Sequence, residues 1–441
     1  MDAASTLKVA LPMRLACLGL AMGLVCSVRL WTGIDRAFPK CPLIAIDFFA
    51  HGAHGYTLVT ILEPLLSATV LLISLLLAFR PERTQNKSQG VAKIVARPFP
   101  EVLLFCSLAV LIALDLNRFQ PWLYEYLIII FMYLVPSKNS QENEQKNSSE
   151  NLEETKAGAV LCLLVAIYFF SGLQKFNWRF LAFMGPWLLG FSHSPAISCQ
   201  DNTLAITASA VLALTEVGLA LALCFGKTRK VGIGLSVIMH AAILYSVGPH
   251  RFNINAAIWP WNITQVALLI ICCMQLGKRN LFDKTLLQSA MQQPLLALVL
   301  ALVCLVVPAL GLLQIADPYP AFAFYTGDIP EGKLYFEKSL QSKLPSLMQR
   351  DTCFYDRTLG LWCIDLIDWS SAELGSPIYA NKHCIEAAAR SFAGRYPDDL
   401  VVLGSFSYPK LSKITHLRYD MVGGTRAQLE AVQAAMGQSS K

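Results

Sequence analysis

The side chains able to do chemistry in this chain are few, and they sit in apolar surroundings. Lys175 lies within YFFSGLQKFNWRF, residues 168–180. Glu216 stands in the middle of ASAVLALTEVGLALAL, with no charge near it in sequence, and His240 in the middle of LSVIMHAAILYSVG. An ionisable group at membrane depth costs about 2.5–3.5 kcal/mol on insertion scales, so it must find a partner and is a functional candidate from the outset. Lys175 has two readings. Pointing inward and desolvated, it is a general base. Pointing outward beside Trp178 and Arg179, it is a snorkelling anchor. Glu216 and His240 have a catalytic reading beside it. The structural alternative for His240 is a neutral imidazole bonded to a backbone carbonyl.

Three further groups can contact a ligand. Asp47, His51 and His54 fall in AIDFFAHGAHGYT, and their spacing places all three on one face if the stretch is helical. The two histidines have the types to hold a metal or heme; the alternative is an interfacial polar stripe. Arg118 lies in LDLNRFQPWLYEY with Asp115 and Glu125 as candidate ion-pair partners. Trp259, Trp261 and Asn262 end GPHRFNINAAIWPWN, whose prolines free backbone groups that need internal partners. The tryptophans form either an interfacial belt or the walls of a flat-ligand pocket.

These groups must be positioned by membrane helices. The 441 residues are 55% hydrophobic and 15% charged, with a mean hydropathy of +0.48, against about 25% charged in soluble domains. The net charge of +6 sits partly in short loops, and no basic run is interleaved with aromatics, so nucleic acid is not an expected partner. A span needs roughly 20 apolar residues. About nine stretches approach that: 12–30, 56–79, 101–117, 120–136, 157–176, 203–226, 231–248, 256–276 and 293–314. The first is too long and lacks the cleavage site of a signal peptide. Lys and Arg cluster after the second, sixth and eighth (Arg80 to Arg97; Lys227, Arg229, Lys230; Lys278, Arg279, Lys284). This predicts an all-α polytopic bundle over residues 1–314, with its N-terminus inside and its C-terminus outside. Residues 137–156 read as a disordered cytoplasmic loop.

Residues 315–441 regain polar residues and read as a small extracytoplasmic α+β domain, frayed over its last dozen residues. KLYFEKSLQSKLPSLMQR and NKHCIEAAARSFAGRY have helical periodicity; LVVLGSFSY and ITHLRYDM read as strands. Of 13 cysteines, Cys41, Cys199, Cys353, Cys363 and Cys384 fall on the expected outer side, where disulfides persist. Their number is odd and their spacing leaves the pairing open.

YFFSGLQKFN, LTEVGLALAL and MHAAILYSVGPHRFNINAAIWPWN, in that order, resemble the membrane domain shared by the vitamin K-dependent gamma-carboxylase and the bacterial HTTM proteins, a group bordering the DoxX and MauE redox-associated membrane proteins. The resemblance covers roughly residues 10–280. It implies a bacterial cytoplasmic-membrane protein with a quinone- or isoprenoid-sized pocket. The family's A-G-x-x-K matches SGLQK, which places its proposed base on Lys175. The family's preceding lysine is Gln174 here. A family histidine falls near His240 and an acidic residue near Glu216. The carboxylase's large luminal domain has no counterpart, which argues against a protein substrate.

Three functions follow as expectations. The first is a membrane oxidoreductase or carboxylase-like enzyme using a quinone or lipid, with no nucleotide cofactor and no strong metal motif. The second is a non-enzymatic partner or maturation factor for another envelope protein, acting through residues 315–441. The third is a transporter, disfavoured because no inverted repeat is evident.

Overall fold

The computed structural model describes residues 11–43, 53–80, 99–135, 145–195, 197–248, 250–351, 353–357, 359–410, 413 and 415–424. Its longer helices among the described residues are α1 (Leu11–Cys26), α2 (Ala53–Phe79), α3 (Phe99–Leu114), α4 (Pro121–Leu134), α5 (Gln145–Gln174), α6 (Thr203–Cys224), α7 (Arg229–Val247) and α8 (Ile258–Leu276). A ninth, α9 (Pro294–Leu312), contains a π-helical turn over Leu302–Val306. Six of them, α2 and α5 to α9, are long and apolar enough to cross a membrane.

The nine expected spans are therefore not all of full length. The first, third and fourth form helices of 16, 16 and 14 residues. At 1.5 Å per residue these reach about 21–24 Å, short of a hydrocarbon core of about 30 Å. The causes are local. Ser27 interrupts the first stretch: its hydroxyl donates back to Gly23 O at 2.7 Å and accepts from Trp31 Nε1 at 3.1 Å. Asp115 breaks the third by capping a 3-10 turn over Leu116–Arg118, and Pro121 then opens α4. Helix α5 begins at Gln145, inside the stretch expected to be a loop.

Helices α5 and α8 form the middle of the bundle. In its apolar window α5 is 78% buried, whereas α9 is 17% buried and lies at the edge. Helix α5 packs on α6 and α8, α6 on α7, and α1 on α2, α4 and α8. Gly172 lets α5 and α6 meet closely, since a Cβ there would stand 3.0 Å from Glu216 Cβ and from Val217 N.

The C-terminal domain is a five-stranded antiparallel sheet of order β2-β3-β1-β4-β5. The strands are β1 (Glu331–Phe336), β2 (Cys353–Asp356), β3 (Leu361–Asp365), β4 (Val401–Ser407) and β5 (His416–Gly423). Strands β4 and β5 and the helix α11 (Lys382–Arg395) are where the periodicity predicts them. The segment KLYF is not helical but belongs to β1, and only short helices follow it. One sheet face carries Leu334, Phe336, Ile364, Val401 and Leu403, packed in a core with Trp369 of α10 (Leu366–Leu374) and Phe392 of α11. The other carries Tyr335, Cys363 and Val402.

The domain docks on the bundle through polar contacts. The Glu373 carboxylate accepts the backbone N–H groups of Ala37 and Phe38 and the indole N–H of Trp369. Asn117 accepts from Tyr379 N at 3.0 Å, and Cys41 is disulfide-bonded to Cys384.

Candidate functional site

The buried groups Lys175, His240 and Glu125 find partners across helices. Lys175 follows the last residue of α5 and points inward. Its Nζ donates to Glu216 Oε2 of α6 at 2.7 Å and to Ser171 Oγ at 2.7 Å. With only 4% of its surface exposed, Lys175 is not a snorkelling anchor.

Seven residues earlier on the same face of α5, the Tyr168 hydroxyl lies 2.7 Å from His240 Nε2 and 3.1 Å from Ser236 Oγ. On its other side, His240 Nδ1 lies 2.6 Å from Asn262 Oδ1. The protons in this chain can be placed. Asn262 Nδ2 donates to Ile258 O at 2.7 Å, so its Oδ1 faces the imidazole as an acceptor. His240 is then protonated on Nδ1, and Nε2 accepts from the Tyr168 hydroxyl. Ser236 is left to donate to the Tyr168 oxygen. The expected backbone-carbonyl partner for His240 is replaced by an amide side chain and a phenol.

A third group lies alongside. Glu125 of α4, 0% exposed, accepts from Trp261 Nε1 at 2.6 Å and Gln265 Nε2 at 2.9 Å. Neither donor is charged. Trp261 and Asn262 are neighbours on α8, so this carboxyl and the imidazole are held by adjacent residues. Together the three groups form a polar seam: Lys175–Glu216–Ser171, Tyr168–His240–Asn262 and Glu125–Trp261–Gln265. Helix α5 links the first two and α8 the last two.

The seam joins Lys175, Glu216, His240, Trp261 and Asn262. It does not include Arg118. That guanidinium is fully buried, donates to the carbonyls of Leu30, Trp31 and Leu111, and pairs with Glu63 of α2 at 3.1 Å. Neither Asp115 nor Glu125 is its ion-pair partner; Asp115 pairs with Arg36. Trp259 is half-buried, and its indole N–H has no hydrogen-bond partner among the described residues. Asp47 and His51 lie outside the described residues. His54 is within α2, and nothing further is described of its side chain.

Of the five cysteines expected on the outer side, Cys41 and Cys384 form a disulfide, while Cys199, Cys353 and Cys363 are free. A bridge between Cys353 and Cys363 is excluded by register. Cys353 pairs with Ile364 and Cys363 with Phe354, so the two thiols point to opposite faces of the sheet.

Sequence reasoning passed over Tyr168, Ser171, Glu63 and Gln265 as site residues. Glu63, in ILEPLL, carries the same signal as Glu216, a carboxylate inside an apolar run. Tyr168 carries none, because an aromatic in an apolar helix reads as core.

Two cavities stand out, and neither is lined by Lys175, Glu216 or His240. One is an apolar groove of about 420 Å³ between α3, α4 and α9, walled by Phe105, Phe119, Tyr124, Phe131 and Val303. At Pro320 it meets the segment whose Ala321 carbonyl accepts from Gln174, next to Lys175.

Comparison of this chain with family models, curated proteins and solved structures finds no match.

Proposed function

We propose that this chain is an integral membrane enzyme that transfers protons at a lipid-soluble substrate, a quinone or an isoprenoid. The observation that carries the reading is the placement of an amine–carboxylate pair and a phenol–imidazole pair on one face of α5. A buried ion pair is a poor stabilising device, because desolvation offsets its attraction and an apolar pair of similar volume does as well or better. Its presence in an apolar bundle is better explained by use. Moving one proton from Lys175 Nζ to Glu216 Oε2 along their hydrogen bond turns the pair into a neutral amine and a carboxylic acid. The amine is then the base. Tyr168 is the matching acid: its single O–H proton, held towards His240 Nε2 at rest, passes to the substrate, and the Ser236 hydroxyl stays hydrogen-bonded to the phenolate oxygen that is left. The apolar groove is suited to a prenyl chain.

The carboxylase-type resemblance supports the same assignment of Lys175. An extracytoplasmic C-terminal domain is supported by the Cys41–Cys384 disulfide, since such bonds persist in oxidising compartments. It is also supported by Arg229 and Lys230 at the opposite end of α7 from the loop leading to Trp261. In a bacterial cell this corresponds to the cytoplasmic membrane.

Titration with a short-chain quinone, followed by tryptophan fluorescence, tests the reading. The double variant Lys175→Met/Glu216→Gln removes both charges without orphaning either. Binding weakened about tenfold or more, the worth of one good charged contact, is expected. Equal affinity in both proteins would remove Lys175 from any substrate site.

A second reading has its own observation. Phe354, Tyr355 and Leu417 are exposed on the C-terminal sheet at 43, 51 and 43%. This suits a partner or maturation factor that contacts another envelope protein. Cross-linking through residue 354 distinguishes it, by capturing a protein where the enzyme reading predicts none.

A further inference from the structure

The second cavity, of about 480 Å³, opens at the end of α7 remote from Arg229 and Lys230. Gly190, Ser192, His193, Tyr245 and Arg251 line it. Arg251 is built into its wall. Nη1 donates to Leu188 O at 2.8 Å and Nη2 to Trp187 O at 2.9 Å. The guanidinium lies 4.3 Å from the centre of the Phe252 ring, which is itself stacked on Trp187 at 4.2 Å. Gly190, at φ +89°, allows this approach, since a Cβ there would meet Arg251 Nη2 at 3.2 Å. No carboxylate pairs with Arg251 among the described residues. A fixed, unneutralised guanidinium at the end of a spanning helix favours a phosphate oxyanion.

A second feature leads to the same place. Val231, Ile238 and Tyr245 recur every seven residues along α7 and are 61, 68 and 65% exposed. They form one apolar track on the helix surface that ends at the cavity. We infer that this cavity binds a membrane phospholipid, with its phosphate on Arg251 beside His193 and Ser192, and one acyl chain along the Val231–Ile238–Tyr245 track. The site is separate from the polar seam and does not depend on it.

Native mass spectrometry of the full chain in detergent tests this. The probes are phosphatidylglycerol, a diacylglycerol with the same chains, and inorganic phosphate. One tightly held phosphatidylglycerol per chain is expected, with no retention of diacylglycerol. In Arg251→Gln its apparent affinity falls about tenfold or more. Arg251 also holds two backbone carbonyls, so melting of the variant is recorded in parallel. His193→Ala alters an exposed side chain, and a smaller loss in the same direction is expected from it. Equal retention by wild type and both variants, or equal retention of diacylglycerol, overturns the proposal. Binding of inorganic phosphate without phosphatidylglycerol would assign the cavity to a free anion and overturn its assignment to lipid.

Discussion

Lys175 and Glu216 show what a buried pair demands of its members. Removing one leaves the other as an uncompensated charge among apolar side chains, which costs about 3–5 kcal/mol. Lys175→Ala is therefore expected to lower unfolding stability in detergent by that amount, and Lys175→Met/Glu216→Gln by much less. Equal losses would mean that the pair is not buried as described. The His240 protons give a second expectation at this scale. Nitrogen NMR of labelled protein should find Nδ1 protonated and Nε2 bare, and Asn262→Leu should abolish that preference. These residues were legible in the sequence because an ionisable group in an apolar run has few explanations. Their partners were not. Tyr168 reaches His240 across 72 positions, and Trp261 reaches Glu125 across 136. Only the folded bundle, which brings α5 to α7 and α4 to α8, makes such pairs.

Hydrophobic runs announced the helices, but their lengths were set by polar side chains that bond to the backbone. Ser27 and Asp115 each end an apolar stretch early. In the C-terminal domain KLYF has a pattern that suits a helix or a strand, and pairing of Leu334 with both Ile364 and Leu403 decides for the strand. Register also decides the thiol chemistry. Peptide mapping after alkylation without reductant should recover the Cys41–Cys384 bridge and find Cys353 and Cys363 alkylated. A 353–363 bridge would contradict the sheet register. Opening the bridge with Cys384→Ser is expected to cost about 2–5 kcal/mol and to make the segment around Cys41 more sensitive to limited proteolysis.

The whole molecule is a bundle clamped to a small domain, and within that domain the pairing of β1 with β3 sets acidic groups close together. Burial holds the Glu331 carboxyl above its usual range, with Arg179 opposing. Desolvation, then the charge of Asp365, pushes the Asp368 carboxyl up to about 7. An unfolded aspartate ionises near 3.8, whereas this one keeps its proton to about 7. Between those values the unfolded chain sheds more protons, so raising the pH favours unfolding. The C-terminal domain should melt higher at pH 5.5 than at pH 8, and Asp368→Asn should reduce the difference. Asp368 reaches solvent, so screening keeps the effect modest. A domain equally stable at both pH values would speak against the crowding of these carboxyls. The same clamp joins the bundle's polar seam to the domain, since Asn177, two residues after Lys175, donates to Thr326 O at 2.9 Å.

The substrate assignment of Lys175 is tested most directly by native mass spectrometry of the gently purified chain, wild type beside Lys175→Met/Glu216→Gln. An adduct of quinone or isoprenoid mass, present in the wild type and lost from the double variant, is the expected result. The same adduct at the same occupancy in both, or no such adduct in either, would contradict a lipid-substrate site at Lys175.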